Sequence, residues 1–282
     1  MTTQTEGTFA GVGGVPVYWR CLAPRAGAPR GVVLVAHGYA EHLGRYEPLA
    51  RHLVARGLAV AALDHRGHGR SGGPRGHCES FAEFVADLRT LADLARGAWP
   101  DCPHVLLGHS MGGLIAFLYL LQHPETVVAG ALSGPAFRVP DAVPRWLRGV
   151  ALTLGRVAPR LQFSANVDAR ALARDPTVGE AYLADPLVHR AATAGFYRAF
   201  RAAQAAALAD AHRLRVPVLV LQGDADRVVD PGGAAAVAER LPDGCELVML
   251  PGYFHELLNE PPSEQAVVLA RLEAWFDRFL AR

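Results

Sequence analysis

The sequence HVLLGHSMGGLIAFLYLL, residues 104–121, decides the fold of this chain. A short apolar run leads into a Gly-x-Ser-x-Gly pattern centred on Ser110, and a longer apolar run follows it. The first run has the length of a buried strand and the second the length of a helix. A serine flanked by glycines between them predicts a sharp strand-to-helix turn, which presents the hydroxyl at the edge of a sheet.

Other short apolar runs, each closed by Gly, Asp or Ser, predict further strands, at 32–36, 58–63, 127–132, 218–221 and 246–250. Continuous apolar runs of this kind are typical of strands buried on both faces. Helical patterns separate most of them, at 81–98, 111–122, 233–241 and 263–280. The alternation predicts an α/β fold with a mainly parallel central sheet and helices on both faces.

Two segments depart from this alternation. Apolar stretches at 8–12 and 15–20, joined by two glycines, predict an antiparallel hairpin at the start of the chain. Residues 135–214 contain no strand-like run and are rich in Ala and Arg. We expect them to form a helical cap inserted into an α/β core made of residues 1–134 and 215–282.

Composition excludes several classes of function. The 28 basic residues are all arginine, so Schiff-base, pyridoxal-phosphate and P-loop chemistry, which need a lysine, are excluded. The net charge is +1 and no basic run is interleaved with aromatic residues, so we expect no nucleic-acid partner. Of the 282 residues 51% are hydrophobic, enough for a sizeable core.

The cysteines and the N-terminal residues bear on the cellular compartment. The four cysteines, Cys21, Cys78, Cys102 and Cys245, lie far apart, so we expect free thiols and no metal cluster. The first residues lack the basic and apolar regions of a signal peptide, and no apolar stretch is long enough to span a bilayer. We therefore expect a cytoplasmic protein.

The Gly-x-Ser-x-Gly pattern occurs twice, around Ser71 and around Ser110. Ser71 follows a polar run and precedes Pro74, which is typical of a loop, whereas Ser110 has a strand before it and a helix after it. We predict Ser110 as a nucleophile, which needs an adjacent base because a serine hydroxyl is weakly nucleophilic at neutral pH.

The acid and the base of such a site follow the serine along the chain in this fold. The loop GDADRVVD, residues 223–230, follows a predicted strand and offers three aspartates. Asp226 is the predicted acid; Asp224 and Asp230 are alternatives, although Asp at such positions often forms turns or helix caps. His255 is the only histidine C-terminal to Asp226 and is the predicted base.

An ester hydrolase also needs hydrogen-bond donors for the oxyanion that develops during reaction. The backbone N–H of Met111, next to the nucleophile, is one predicted donor. The second lies in the loop after the 32–36 strand, where position favours the backbone N–H of Tyr39.

The segments around these residues resemble the monoacylglycerol lipase family of serine α/β-hydrolases, which includes bacterial monoglyceride lipases and is close to lysophospholipases. They are HGYAEHLGRY (37–46), DHRGHGRSGG (64–73), GHSMGG (108–113), DPTVGEAYLADPLVHR (175–190), GDADRVVD (223–230) and YFHELLNE (253–260). The resemblance implies a lipid ester substrate, a monoacylglycerol split into glycerol and fatty acid through an acyl-enzyme, and no cofactor.

The resemblance also implies residues that bind the glycerol group. Glu41 and Arg45 occupy positions that help hold glycerol in the family, or they form a salt bridge that braces the loop. Tyr182 stands where a cap tyrosine reaches towards glycerol, or it packs the cap. Two positions differ from mammalian relatives: Tyr39 replaces a small residue, and Leu258 replaces a histidine.

The cap carries one further pattern. Residues 144–160 place apolar side chains between arginines, and Pro159 is expected to stop a helix there. A helix of this kind can lie in a membrane interface and give transient contact with a membrane surface, or it is an ordinary cap helix that faces the pocket. The alternatives to a monoacylglycerol lipase are a lysophospholipase, a general carboxylesterase, and a non-catalytic receptor for a small hydrophobic ligand.

Overall fold

A computed structural model describes residues 2–140 and 148–280. Within them, one sheet has the strand order β1-β2-β4-β3-β5-β6-β9-β10. Its strands are β1 Thr2–Ala10, β2 Pro16–Pro24, β3 Val32–Ala36, β4 Ala59–Leu63, β5 His104–His109, β6 Ala129–Ser133, β9 Val218–Gly223 and β10 Glu246–Leu250. The first two strands pair antiparallel, as does β2 with β4, and every pair from β4 to β10 is parallel.

Helices cover both faces of this sheet. They are α1 Glu47–Ala55, α2 Phe81–Ala98, α3 Met111–Gln122, α4 Arg148–Val157, α5 Pro176–Ala184, α6 Ala194–Asp210, α7 Pro231–Ala238 and α8 Pro262–Asp277. Alternate residues of β3 point to opposite faces: Leu34 packs with α2 and α3, whereas Val33 packs with α1 and α8. Burial of both faces explains the unbroken apolar runs, and the predicted α/β-hydrolase architecture is confirmed.

The predicted helices at 81–98 and 111–122 have the predicted bounds, and the N-terminal hairpin is present with longer strands. Helix α1 had not been identified from the sequence. Helix α1 is short, and its buried side chains Leu49, Leu53 and Val54 belong to the same hydrophobic cluster as residues of α8. Their burial therefore depends on a segment far away in the sequence.

The prediction that residues 135–214 contain no strand is wrong. Strand β7, Gln162–Ser164, pairs antiparallel with β8, Ala191–Thr193. Strands of three residues are too short to show an alternation, and their pairing partners lie almost thirty residues apart in the chain. This strand pair and helices α4, α5 and α6 lie between β6 and β9 in the chain, whereas the exact division into core and cap stays a prediction.

The predicted cap helix over 144–160 is described only from Arg148 onward, because residues 141–147 lie outside the described residues. Helix α4 ends at Val157, before Pro159, as the proline predicts. Val150 and Val157 are 53% and 73% exposed. No helix among the described residues has both the length and the apolar character needed to cross a bilayer.

Candidate active site

Ser110 forms the turn between β5 and α3. Its backbone has φ 53° and ψ −118°, a conformation that L-residues rarely adopt and that surrounding contacts must hold. Close packing around the turn requires glycine nearby: a Cβ on Gly112 would lie 2.1 Å from the carbonyl oxygen of Ala36. The turn thus brings α3 directly against the end of β3 and leaves the Ser110 side chain at the carboxyl edge of the sheet.

The structure brings the three predicted residues Ser110, Asp226 and His255 together. His255 Nε2 lies 2.9 Å from Ser110 Oγ, and His255 Nδ1 lies 2.7 Å from Asp226 Oδ2. All three side chains are buried, and they follow the carboxyl ends of β5, β9 and β10. An imidazole in this position can accept the serine proton, and the carboxylate can orient and stabilise the imidazolium that forms.

Hydrogen bonds hold Asp226 in its ionised form. Its Oδ1 accepts the backbone N–H groups of Val228 and Val229 at 2.8 and 2.9 Å, and Gln222 Nε2 donates to Oδ2 at 3.0 Å. Burial favours the neutral acid, but the bonds from His255 and the backbone outweigh it and lower the pKa of Asp226. Gln222 was not identified from the sequence, because a glutamine at the end of a strand carries no motif.

The two alternative aspartates have other partners. Asp224 Oδ1 accepts the N–H of Gly252 at 2.6 Å. Asp230 caps α7 by accepting the N–H of Gly232 at 2.9 Å, and it pairs with Arg138. Within the described residues, Asp226 is therefore the aspartate of this loop that contacts His255.

Ser71, the serine of the second motif, lies in a loop as predicted. Its hydroxyl accepts the backbone N–H of Tyr18 at 2.8 Å and donates to the carbonyl of Asp64. These bonds tie the loop to β2 and β4. The hydroxyl of Ser71 is therefore occupied by backbone groups. A match to the motif in a loop thus does not by itself identify a nucleophile.

The predicted oxyanion donors flank Ser110. Tyr39 and Met111 line the same cavity as Ser110 and His255. The neighbouring Gly38 N–H donates to Glu41 Oε1 at 2.6 Å and is thereby occupied. Across the part of the chain that the structure describes, the N–H groups of Tyr39 and Met111 have no hydrogen-bond partner. Both remain available to an oxygen placed beside Ser110.

A buried charged cluster lies at one end of this cavity. Arg45 pairs with Glu41, and it donates to both carboxylate oxygens of Glu256 at 2.7 and 2.8 Å. Burial favours protonation of Glu41, but Arg45 outweighs it and lowers the pKa of Glu41 to about 2. The Tyr182 ring lies 5.1 Å from the Arg45 guanidinium, a cation–π contact. The predicted Glu41–Arg45 salt bridge exists, and all these residues also line the cavity.

Glu256 is the charged residue that sequence reasoning missed. Its position directly after His255, in the segment YFHELLNE, is the signal that could have identified it. Leu258, the position that differs from mammalian relatives, lines a smaller cavity of about 170 Å³. That cavity shares Glu41, Arg45, His109 and Glu256 with the larger one, so Leu258 and the charged cluster line the same smaller cavity.

The larger cavity has a volume of about 420 Å³ and is lined mainly by apolar side chains. Away from the charged cluster these include Val139, Phe163, Val167, Phe196, Phe200 and Val228. No residue of α4 within the described part lines this cavity. An apolar chamber that opens beside a serine hydroxyl suits a ligand with a hydrocarbon portion.

His109, which precedes Ser110, is a neutral neighbour of His255. Its ring lies 4.8 Å from that of His255, and its Nδ1–H donates to the carbonyl of Ser133 at 2.9 Å. Burial, followed by the proximity of His255, lowers the pKa of His109 to about 4. A neutral His109 places no positive charge beside His255 at neutral pH.

Comparisons with known proteins agree with this architecture. A family model described as "Serine aminopeptidase, S33" matches residues 27–262. The "Monoacylglycerol lipase" of Mycolicibacterium smegmatis is 45% identical, over 97% of this chain and 97% of that protein. The human "Monoglyceride lipase" is 34% identical over 93% of this chain and 86% of its own length.

Solved structures give the same result. A crystal structure of the monoacylglycerol lipase of Paleococcus ferrophilus superposes with a TM-score of 0.81 at 29% identity, covering 96% of this chain and 97% of that one. The similarity extends over core and inserted segment alike. The chain therefore belongs to the monoacylglycerol lipase family of α/β-hydrolases, a family of carboxylic ester hydrolases.

Proposed function

We propose that this protein hydrolyses monoacylglycerols to glycerol and fatty acid through an acyl-enzyme on Ser110. One observation carries the proposal: the Ser110 hydroxyl lies where an apolar cavity of about 420 Å³ meets a buried polar cluster. A monoacylglycerol has the same two parts, a hydrocarbon chain and a polar head, joined at the ester that must reach the nucleophile. The family of the chain, with relatives named monoacylglycerol lipase, supports this assignment.

In the first half of the reaction, Ser110 Oγ attacks the ester carbonyl carbon while His255 Nε2 takes the hydroxyl proton. The carbonyl oxygen becomes an oxyanion and accepts the N–H groups of Tyr39 and Met111. The tetrahedral intermediate then collapses: the bond to the glycerol oxygen breaks, and His255 gives its proton to that oxygen. Asp226 stabilises the imidazolium between these two transfers.

Water completes the cycle. His255 takes a proton from a water molecule, whose oxygen attacks the acyl carbon of the ester formed with Ser110. The second intermediate collapses by breaking the bond to Ser110 Oγ, which recovers the proton from His255. The fatty acid leaves, and the enzyme returns to its starting state without a cofactor.

The charge of the polar cluster favours glycerol over a phosphorylated head group. Glu41 and Glu256 carry two negative charges against the single positive charge of Arg45, so the cluster has a net charge of −1. Glycerol hydroxyls can donate hydrogen bonds to the carboxylates, whereas a phosphate in the same place would lie beside a net negative charge, with Arg201 and Arg227 lining other parts of the cavity. We therefore place a monoacylglycerol ahead of a lysophospholipid as substrate.

We further propose that the apolar surface at α4 and β7 makes transient contact with a lipid surface. Val150, Val157, Leu161 and Phe163 are each at least 44% exposed, and Arg156 lies among them. Exposed apolar side chains close to a cation are typical of interfacial segments. Sedimentation with anionic vesicles should weaken in Val157→Asp, and unchanged sedimentation would contradict the contact.

A substrate panel tests the activity. Glycerol release from monoacylglycerols of 8 to 18 carbons is compared with hydrolysis of lysophosphatidylcholine and p-nitrophenyl acetate. We expect long-chain monoacylglycerol to give the highest kcat/KM, because the apolar cavity stabilises the chain. A preference for lysophosphatidylcholine would favour a lysophospholipase, and a preference for the acetate a general carboxylesterase.

A second experiment separates an enzyme from a receptor on the same scaffold. A fluorophosphonate probe should label the wild type, and Ser110→Ala should lose both the label and activity, with kcat lowered on the order of 10⁴-fold or more. The matched variant Ser71→Ala should retain the label. A folded wild-type protein that neither reacts with the probe nor releases glycerol would favour the receptor.

A further inference from the structure

The loop that carries Tyr39 is held in an unusual conformation beside the nucleophile. A Cβ placed on Gly38 would lie 3.2 Å from Ser110 Cβ, so the loop and the serine turn are in contact. Ala40 has φ 66°, and with Ser110 it forms the pair of non-glycine residues with positive φ in the described chain. Such conformations persist only where neighbouring groups hold them. The contacts of this loop therefore decide where the Tyr39 N–H points.

Two hydrogen bonds connect this loop to the inserted segment. The hydroxyl of Tyr39 donates to the carbonyl of Ala191, in strand β8, at 2.5 Å. The N–H of His189 donates to the carbonyl of Ala40 at 3.1 Å. The two bonds attach consecutive residues of the loop, Tyr39 and Ala40, to the same short stretch of chain.

The ring of Tyr39 is packed on several sides. It lies 5.1 Å from the Phe196 ring, and it meets the rings of His189 and His68 edge-on at 5.6 and 5.8 Å. Burial raises the pKa of Tyr39, so the hydroxyl remains protonated and a donor at neutral pH. Its bond to Ala191 is partly buried.

We propose that the Tyr39 side chain is a positioning residue, which ties the oxyanion-donating N–H of its own backbone to strand β8. The residue thus has two functions in one: its N–H meets the oxyanion, and its hydroxyl sets the direction of that N–H through the inserted segment. This inference rests on the proposed function, because it concerns the same reaction at Ser110.

The rival interpretation is that Tyr39 only fills space. Phenylalanine would fill the same space and keep the ring contacts with Phe196, so Tyr39→Phe removes the hydroxyl alone. Loss of one intramolecular hydrogen bond changes an equilibrium or rate constant by a factor of about 3 to 10. If the hydroxyl positions the N–H, Tyr39→Phe should lower kcat by this factor, because the transition state is stabilised less. If the residue only fills space, Tyr39→Phe should lower the free energy of unfolding and leave kcat unchanged.

The experiment compares Tyr39→Phe with Tyr119→Phe, a matched control. Tyr119 is fully buried, and its hydroxyl shares a hydrogen bond with that of Thr126 at 2.8 Å near the far end of α3. For each variant, kcat and KM are measured on a monoacylglycerol. Inhibition constants are measured for a trifluoromethyl ketone, which the serine converts to an oxyanion, and for a glyceryl ether of equal chain length, which forms none.

We expect Tyr39→Phe to lower kcat and weaken the ketone by about 3- to 10-fold, with KM and ether affinity changed less than twofold. Tyr119→Phe should leave all four values within twofold. A Tyr39→Phe enzyme with wild-type kcat and ketone affinity, or one with only KM raised, would overturn the proposal. If the wild type released no glycerol, the proposed substrate would fall, and the same comparison on a p-nitrophenyl ester would still judge Tyr39.

Discussion

Arg45 and Glu256 form a two-point ion pair beside the base, with Nη1–Oε1 at 2.7 Å and Nη2–Oε2 at 2.8 Å. The side chains are 12% and 4% exposed, so the pair is largely shielded from water. Because Glu256 directly follows His255 in the chain, the ion pair also links the base to the loop that carries Glu41 and Arg45. The cluster is therefore part of the active-site framework as well as a polar wall.

Removal of Arg45 should be far more harmful to stability than removal of one carboxylate. Arg45→Met leaves Glu41 and Glu256 buried with no counter-charge, and we expect a loss of about 3–5 kcal/mol in the free energy of unfolding. Glu256→Gln leaves the Glu41–Arg45 pair intact and should cost about 1 kcal/mol. Urea denaturation of both variants measures the difference; equal losses would show that the charges are not shielded as described.

The assignment of Asp226 is tested by an amide substitution. Asp226→Asn keeps the shape of the side chain but offers His255 Nδ1 either a donor or a neutral acceptor, so we expect kcat to fall on the order of 10³-fold or more. Asp224→Asn is the matched control, since Asp224 bonds the N–H of Gly252 and not the histidine. Steady-state rates decide the matter: near-normal turnover of Asp226→Asn would transfer the role of the acid elsewhere.

Substitutions of two glycines, Gly112 in the turn after Ser110 and Gly97 in helix α2, should have opposite effects on stability. A Cβ on Gly112 would lie 2.1 Å from the carbonyl of Ala36, so Gly112→Ala should destabilise the fold by more than about 3 kcal/mol and displace Ser110. Gly97 lies in helix α2, and a Cβ there would meet nothing within 4 Å. Gly97→Ala should stabilise by about 0.5–1 kcal/mol.

Melting temperatures and glycerol release check this pair. A Gly112→Ala protein with unchanged melting temperature and rate would contradict the close approach of α3 to β3. A destabilised Gly97→Ala protein would show that its helix surface is not open as described.

Stability should fall as the medium becomes acidic. Burial, with further contributions from Arg75 and His37, lowers the pKa of His189 to about 4 from its ordinary value of 6.5. The unfolded chain therefore takes up a proton below about pH 6.5 that the folded chain does not, and stability is lost as pH falls from 6.5 to 4. Glu41, with its pKa near 2, adds a second loss between about pH 4.5 and 2.

Denaturant unfolding at several pH values measures this dependence. His189→Gln removes one of the titrating groups and should flatten the slope between pH 6.5 and 4. Equal slopes for His189→Gln and the wild type would show that protonation of His189 is not linked to folding.

Local patterns were sufficient for much of the fold. The sequence around Ser110 shows the hydrophobic pattern of a strand, a glycine-flanked turn and a helix within some twenty residues. This unit could therefore be identified without knowing the rest of the chain. The same holds for helix 81–98 and for the buried strands. Position after a strand also sufficed to predict Asp226 and His255, because the carboxyl ends of parallel strands meet at one edge.

Several contacts between distant segments were not predicted, for a physical reason. The bonds from Arg45 to Glu256, from Gln222 to Asp226 and from Tyr39 to Ala191 join side chains whose identity alone does not name a partner. Strands β7 and β8 likewise exist only as a pair.

The sequence by itself determined the parallel sheet and the serine at its edge, and it was sufficient to predict which aspartate and which histidine lie beside that serine, because each of these features depends on neighbouring residues and on order along the chain. Only the tertiary structure decided which carboxylates surround Arg45 and where the hydroxyl of Tyr39 is bound. Those contacts depend on distances between segments far apart in the chain, and such distances are set when the whole core packs.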